Sequence, residues 1–455
     1  VNAVSPDSLV ALLERSGELP AAEIVRQLAV SQPTFSRLVS RAGDRIVRRG
    51  AARASRYAAT RALGAAGSRW PLYRIDAVGR GHALGELIAL ARGEFHVAPA
   101  RPLEALGLQA TQLYPDLPWF LHDARPQGFI GRALARRAAA ALDLPLDFEL
   151  WNAEHTVRCW LTFGDDLPGD LVLGEAAMQR LVHATLEAPA AIEAPARAEQ
   201  YARCADSAMA GEAIGSSAGG EQPKFTACVR GENDQVRHVI VKFTEAQHSP
   251  AKRRWCDLLL AEHHALEVLR GAGLAAARSE LVIAGERLCL EVERFDRVGA
   301  FGRLGLVSLR ALAAEFDGAP GNWPAIAARL AGEGWISVDD AERIRKLWWF
   351  GRLIANTDMH DGNVSFLVGV TRPLALAPIY DMLPMLYRPA SNGEIVPRRF
   401  EPPLPLPEER ACWLAMCGPT TALWQRVAED ARVSLPFRDI ARGNSESLQQ
   451  LAARV

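Results

Sequence analysis

Apolar residues recur at helical spacing in three stretches near the start of the chain: 7–15 (Leu9, Leu12, Leu13), 21–28 (Ile24, Val25, Leu28) and 32–42 (Phe35, Leu38, Val39). Pro20 suits the first turn of the second stretch, Ser31 can cap the third, and Gly43 can end it. Two short strand-like pieces, 45–48 and 55–58, follow around an Arg- and Gly-containing turn. Helix, helix, turn, helix and hairpin in that order predict a winged helix-turn-helix over residues 1–62.

The pattern beyond it is more mixed. Residues 61–70, rich in Ala and Gly, read as a linker. Stretches 72–78 and 95–97 read as strands, 83–90 and 129–142 as helices, and 70–200 as one accessory α+β unit with no assigned chemistry. From about residue 205 glycines crowd together. Then come a β-branched strand at 236–243, a helix at 258–269, and a hairpin of 280–283 with 287–294 around Gly285. A helix at 343–353, a polar loop and further short strands precede a Pro-rich stretch and the last helices. The predicted units are 1–62, 70–200, 201–298 and 299–445, an α+β chain overall.

Composition narrows the function classes. The 455 residues are 49% hydrophobic and 23% charged, which supports packed cores rather than disorder. No apolar run approaches a membrane span, and the first residues lack the pattern of a secretory signal. Seven cysteines, an odd number with no CxxC pair, argue against a disulfide framework or a Cys-rich zinc site. They point to a reducing, cytoplasmic setting.

Charge adds one more feature. The formal net charge is only -1, yet residues 21–60 hold eight Arg against Glu23 and Asp44. In a winged helix-turn-helix, Gln32, Thr34, Ser36 and Arg37 would meet double-stranded DNA from the recognition helix. Arg48, Arg49, Arg53 and Arg56 would meet phosphate from the wing. The competing reading is a small helical domain whose basic face contacts protein.

Candidate chemistry lies in the second half. The segment GSSAGGEQPK offers glycine amides and two hydroxyls to phosphate but lacks P-loop spacing. Lys242 sits in an apolar strand, where an ammonium needs an anion. Glu262 on the following helix could orient it. In TDMHDGN, Asp358 could accept a hydroxyl proton and Asn363, five residues on, could hold a metal ion. Asp381, at the end of an apolar strand in LALAPIYDMLPM, could ligate Mg²⁺. His360 reads as a loop-stabilising group, and a transition-metal site on Asp358 and His360 lacks a second His/Asp cluster. A Gly-rich loop, a strand Lys and three oxygen donors in this order describe an ATP phosphotransferase.

On those residues the chain resembles the HipA family of serine/threonine-protein kinase toxins, and in particular its longer, YjjJ-type members. The resemblance implies a two-lobed, protein-kinase-like fold with ATP and Mg²⁺ as cofactors. It implies ATP contacts from Ser216, Ser217, Ala218, Gly219, Gly220 and Lys242, catalysis by Asp358, and metal binding by Asn363 and Asp381. Glu291, in the hairpin that joins the lobes, is assigned to the nucleotide side. Autophosphorylation is expected at Ser216 or Ser217. The family implies a protein acceptor, an aminoacyl-tRNA synthetase among the candidates, and a separate antitoxin. The attached basic module leaves the need for an antitoxin open. A DNA-binding regulator with an inactive kinase fold and a small-molecule kinase are the alternative readings.

Overall fold

The computed structural model describes residues 4–50, 54–100, 104–106, 112–187, 189–210, 222–231 and 234–455. Helix α1 (Pro6–Ser16) starts where the Ser5 hydroxyl accepts the Ser8 amide at 3.3 Å, and it stops at Gly17. Strand β1 (Leu19–Pro20) leads into α2 (Ala21–Leu28), which Ala29 ends in a left-handed conformation. Helix α3 (Gln32–Ala42), capped by Ser31, is followed by β2 (Ile46–Arg49) and β3 (Arg56–Ala59). The three strands pair antiparallel in the order β1-β3-β2. Leu9, Leu13, Ile24, Phe35 and Leu38 fill the core between the helices, with Phe35 edge-on to Tyr57 at 5.1 Å.

The middle of the chain is a five-stranded antiparallel sheet. Its strands are β4 (Arg69–Ile75), β5 (Gly81–Ala89), β6 (Phe95–Pro99), β7 (Leu113–Tyr114) and β8 (Leu171–Leu173), in the order β7-β6-β5-β4-β8. Helices α4 (Gly128–Leu142), α5 (Ala153–Phe163) and α6 (Glu175–Thr185) accompany it. Two expectations fail here. Residues 83–90 form a strand, not a helix: β5 is paired on both edges, and those ladders override the helical preference of Ala, Leu and Glu. Residues 61–70 are not a free linker either. Leu63 and Trp70 are buried, and Arg69 donates to the Ile46 carbonyl at 3.0 Å. Val47 and Ala58 pack on Ile88 and Leu90, so the N-terminal hairpin is seated on the middle sheet.

After α7 (Arg197–Met209) comes a four-stranded antiparallel sheet of β9 (Lys224–Arg230), β10 (Val236–Phe243), β11 (Ser279–Ala284) and β12 (Arg287–Glu293), in the order β11-β12-β10-β9. Val239, Val241, Phe243 and Cys289 face Tyr201 of α7. Leu290 and Val292 face the leucines of α8 (Pro250–Gly271). Alternation along β10 therefore puts Lys242 on the α8 face.

Short pairs β13 (Arg297–Val298) and β14 (Gly302–Arg303), then β15 (Gly305–Ser308), lead into a mainly helical lobe. This lobe holds α9 (Leu309–Phe316), α10 (Trp323–Gly332), α11 (Val338–Leu353), β16 (Ser365–Val368), β17 (Ala375–Leu376), α12 (Arg410–Glu429) and α13 (Leu435–Ala452). Among the described residues no helix is long and apolar enough to cross a membrane.

Gly85 shows how tightly the middle sheet is built. A Cβ there would meet the Ala98 carbonyl oxygen. Gly85→Val is expected to destabilise the protein by about 1–3 kcal/mol, read as a lower urea midpoint at unchanged slope.

Candidate active site

Lys242 lies in an inner strand, with its side chain only 7% exposed. A bare ammonium there would lose its hydration with nothing in return. Glu262, wholly buried on α8, receives it through both carboxylate oxygens at 2.6 and 2.8 Å. Asp381 also accepts from the Lys242 ammonium. Two carboxylates on one ammonium leave a negative excess. Lys224, directly opposite Lys242 in the β9–β10 register, offsets it.

The ionisation of the group follows from this packing. Burial pushes the Asp381 carboxyl up, but Lys242 and then Lys224 hold it down to about 2. Burial raises Glu262, against the pull of Lys242. Burial disfavours the Lys242 cation, yet Asp381 and Glu262 together keep it protonated.

The polar loop after α11 is tied to the same point by Asn356, which the sequence reading did not single out. Its side-chain oxygen accepts the Asp358 amide at 3.0 Å, and its side-chain nitrogen donates to the Asp381 carbonyl at 3.3 Å. The Asn363 amide nitrogen in turn donates to the Asp358 carbonyl at 2.9 Å. Asn356 is buried while Asp358 is exposed. The only sequence signal was an Asn two residues before the Asp, the spacing of a side chain that bonds a backbone amide two residues on.

Asp381 does not end a strand as expected. β17 is only two residues long, Pro378 has no N–H to extend the ladder, and Asp381 adopts a left-handed backbone at φ +56°. Asp enters that region more readily than most residues, and contacts from its neighbours hold it there. Here Asn356 fixes its carbonyl, and the neighbouring Tyr380 hydroxyl donates to the Gly362 carbonyl at 2.8 Å.

Hard oxygen donors are thus gathered at one place. Asp381 uses one oxygen on Lys242 and is 29% exposed. Asn363 spends its nitrogen on Asp358, which leaves its oxygen available. Among the described residues no three His, Cys, Asp or Glu side chains cluster as a metal site. The set fits an ion that takes few protein oxygens and completes its shell with water and phosphate, as Mg²⁺ does.

Comparison with known proteins gives the family. The profile described as "YjjJ-like toxin, middle domain" matches residues 66–182, and "HipA-like C-terminal domain" matches residues 216–443. The chain is 40% identical to "Toxin YjjJ" of Escherichia coli (strain K12) over 441 residues, 96% of this chain and 97% of that protein. The chain belongs to the YjjJ-type HipA-like toxins. As a member it is a kinase-type toxin, with activity of the nucleotide-dependent class. A solved structure of HipA, from the Shewanella oneidensis MR-1 HipA, HipB and operator DNA complex, aligns at a TM-score of 0.53 and 14% identity. That alignment covers 85% of this chain and 97% of the other, and it shows the fold.

Placement of the expected family residues is uneven. Ser216, Ser217, Ala218, Gly219 and Gly220 lie outside the described residues, as does Arg53. Lys242, Glu262, Asp381, Asp358 and Asn363 form one connected set through Asn356. His360 accepts the Gly362 amide at 3.2 Å and lies 3.1 Å from Arg310. Glu291 must be corrected. It pairs with Val241, one residue out of step with Lys242, so its carboxylate points to the other face and accepts from Tyr201 at 2.6 Å.

In the N-terminal unit Gln32, Ser36 and Arg37 are exposed on α3, while Thr34 is half-buried against the Ser31 cap at 3.0 Å. Arg48 is exposed and donates to Ser55 at 3.1 Å. Arg49 is a second correction: it is 6% exposed and paired with Glu18 at 3.1 Å. Glu18 also takes Arg56 at 2.8 Å, and Asp7 takes Arg45 at 2.6 Å. These acids precede residue 21, so a count over 21–60 overstates the free positive charge.

Lys242→Met is expected to cost about 3 kcal/mol or more of stability, because two carboxylates lose their shared cation. Adding Glu262→Gln should restore part of that loss. Urea unfolding of the two variants at pH 7 measures both effects.

Proposed function

We propose that the chain is an ATP- and Mg²⁺-dependent protein serine/threonine kinase of the HipA type that carries its own DNA-binding module. The observation that carries this is the continuous path from Glu262 through Lys242, Asp381, Asn356 and Asp358 to Asn363. Lys242, oriented by Glu262, would receive nucleotide phosphate oxygens. Asn363 and Asp381 would hold Mg²⁺, which supplies positive charge against the phosphates when bound. Asp358 would align the acceptor hydroxyl and take its proton as the new O–P bond forms and the bond to the leaving diphosphate breaks. Rate would come chiefly from placement and electrostatics. The acceptors proposed are a protein of the translation apparatus, such as an aminoacyl-tRNA synthetase, and the chain's own Ser216 or Ser217.

Asp358→Asn is expected to abolish transfer of labelled γ-phosphate to self and to cell extract, while Mg·ATP still binds. Transfer at the wild-type rate would remove Asp358 from this role. Asn356→Ala should lower kcat by about tenfold to a hundredfold with little change in KM for ATP. It frees the two loops while the phosphate-facing pair Lys242 and Glu262 stays in place.

The N-terminal unit is proposed as a winged helix-turn-helix on double-stranded DNA, which allows the chain to regulate its own transcription with or without a separate antitoxin. Its support is the exposed face of Gln32, Ser36 and Arg37, flanked by Arg41 and Arg48. Phosphate contacts through Arg37, Arg41 and Arg48 would each contribute about one unit to the salt slope of binding. Arg37→Gln with Arg41→Gln should flatten that slope by about two on the chain's upstream DNA. An unchanged slope would favour the protein-contact reading of this face.

A further inference from the structure

A second buried lysine is treated differently from Lys242. Lys252, in the first turn of α8, is 7% exposed. Its Nζ donates to the Ala246 carbonyl at 2.8 Å, and among the described residues it forms no ion pair. Lys242 draws in two carboxylates, whereas Lys252 meets one neutral oxygen. The first turn of α8 carries Lys252, Arg253 and Arg254 and no acid, although the positive end of a helix dipole favours acids. Arg254 turns away to the Tyr387 carbonyl at 3.1 Å and lies 3.8 Å from Asp257. Arg253 is exposed and has no anionic partner among the described residues.

A cavity of about 550 Å³ lies between this turn of α8 and the β11–β12 turn at Gly285. Lys252, Arg253 and Arg287 stand on its walls, and Ile283 and Leu288 add carbon. Arg287 already donates to Asp206 at 2.5 Å and to the Thr244 carbonyl at 3.3 Å. Glu286 is the one carboxylate among the lining residues; it is 69% exposed and lies 3.2 Å from His248. Two cations without counter-charge, Lys252 and Arg253, thus meet at a helix N-terminus beside a concave, partly apolar wall. Donors of that kind suit a phosphate group, and the volume is that of a small-molecule site.

We propose that this cavity binds a small organic phosphate, with the phosphate on Arg253 and Lys252 and the body of the molecule against Ile283 and Leu288. A dianion supplies both missing counter-charges, as a phosphate monoester does above its second pKa of about 6. Glu262 is ten residues further along α8, about 15 Å from Lys252 on the helix axis. A bound phosphate would tie the start of the helix that orients Lys242 to the β11–β12 turn. That regulatory consequence rests on the kinase reading. The binding does not.

The test is calorimetric titration of the full chain at about pH 7.5 with phenyl phosphate and glucose 6-phosphate, with phenol and glucose as the uncharged controls. At least one phosphate should bind one-to-one, its control at least about tenfold more weakly, and about 0.5 M salt should weaken the binding. Arg253→Glu, at an exposed position, should cost about tenfold or more in affinity. Glu286→Gln removes the one carboxylate from the wall and should tighten binding about twofold, a gain that a damaged fold would not give. A non-hydrolysable ATP analogue with Mg²⁺ should bind alongside the phosphate. Absence of binding by both phosphates, or unchanged affinity in both variants, overturns the proposal. Displacement by the ATP analogue also overturns it, since the phosphate would then occupy the nucleotide site. Loss of γ-phosphate transfer with phosphate binding intact counts against the kinase reading alone.

Discussion

An ammonium placed inside a β-sheet has to be surrounded by anions, and Lys242 imposes that demand on the whole C-terminal half of the chain. Glu262 meets it from α8, which requires the helix to pack on that face of the sheet. Asp381 meets it from the other lobe, which brings the loop after β17 across to the sheet. The two lobes therefore meet at this charge, as they also do where Asp257 accepts the Ser434 amide at 2.8 Å and where Arg254 donates to the Tyr387 carbonyl at 3.1 Å.

The middle domain is part of this framework rather than an appendage. Asp123 accepts both the amide and the hydroxyl of Ser308 at 2.6 Å, and Ser308 caps α9, whose Arg310 reaches His360 in the polar loop after α11. Asp170 pairs with Arg74, which also donates to the Gly369 carbonyl just after β16 at 3.2 Å. Asp296 accepts the Gly169 amide at 2.9 Å. Three acids at three separate points thus fix the middle sheet to the two lobes. Asp170 and Asp296 are buried, Asp123 is half-buried, and all three are satisfied, so a shift of the middle domain would be felt at Ser308 and along β10.

The local elements of the N-terminal unit were legible because each carried its own signal: apolar residues at helical spacing, Ser caps, and glycines at the ends. Lys242, Asp358, Asn363 and Asp381 stood out by type and order, and the structure connects them through Asn356. Failures came where neighbours decided the outcome. Residues 83–90 have helix-forming composition but lie between two strands. Leu63 and Trp70, in a stretch that reads as a linker, are buried by a sheet distant in sequence.

From its own residues, the chain determined which groups are available for chemistry and the order in which they come, because residue type and local spacing are properties of the sequence. Only the tertiary structure decided which of them meet. A one-residue step along β12 sends Glu291 away from Lys242, since alternate side chains leave opposite faces of a strand. Glu18, outside the basic stretch, removes Arg49 from solvent. Asn356, unremarkable in the sequence, closes the path between Asp381 and Asp358. Contacts of that kind depend on pairing register and on residues far apart in the chain, which no local pattern encodes.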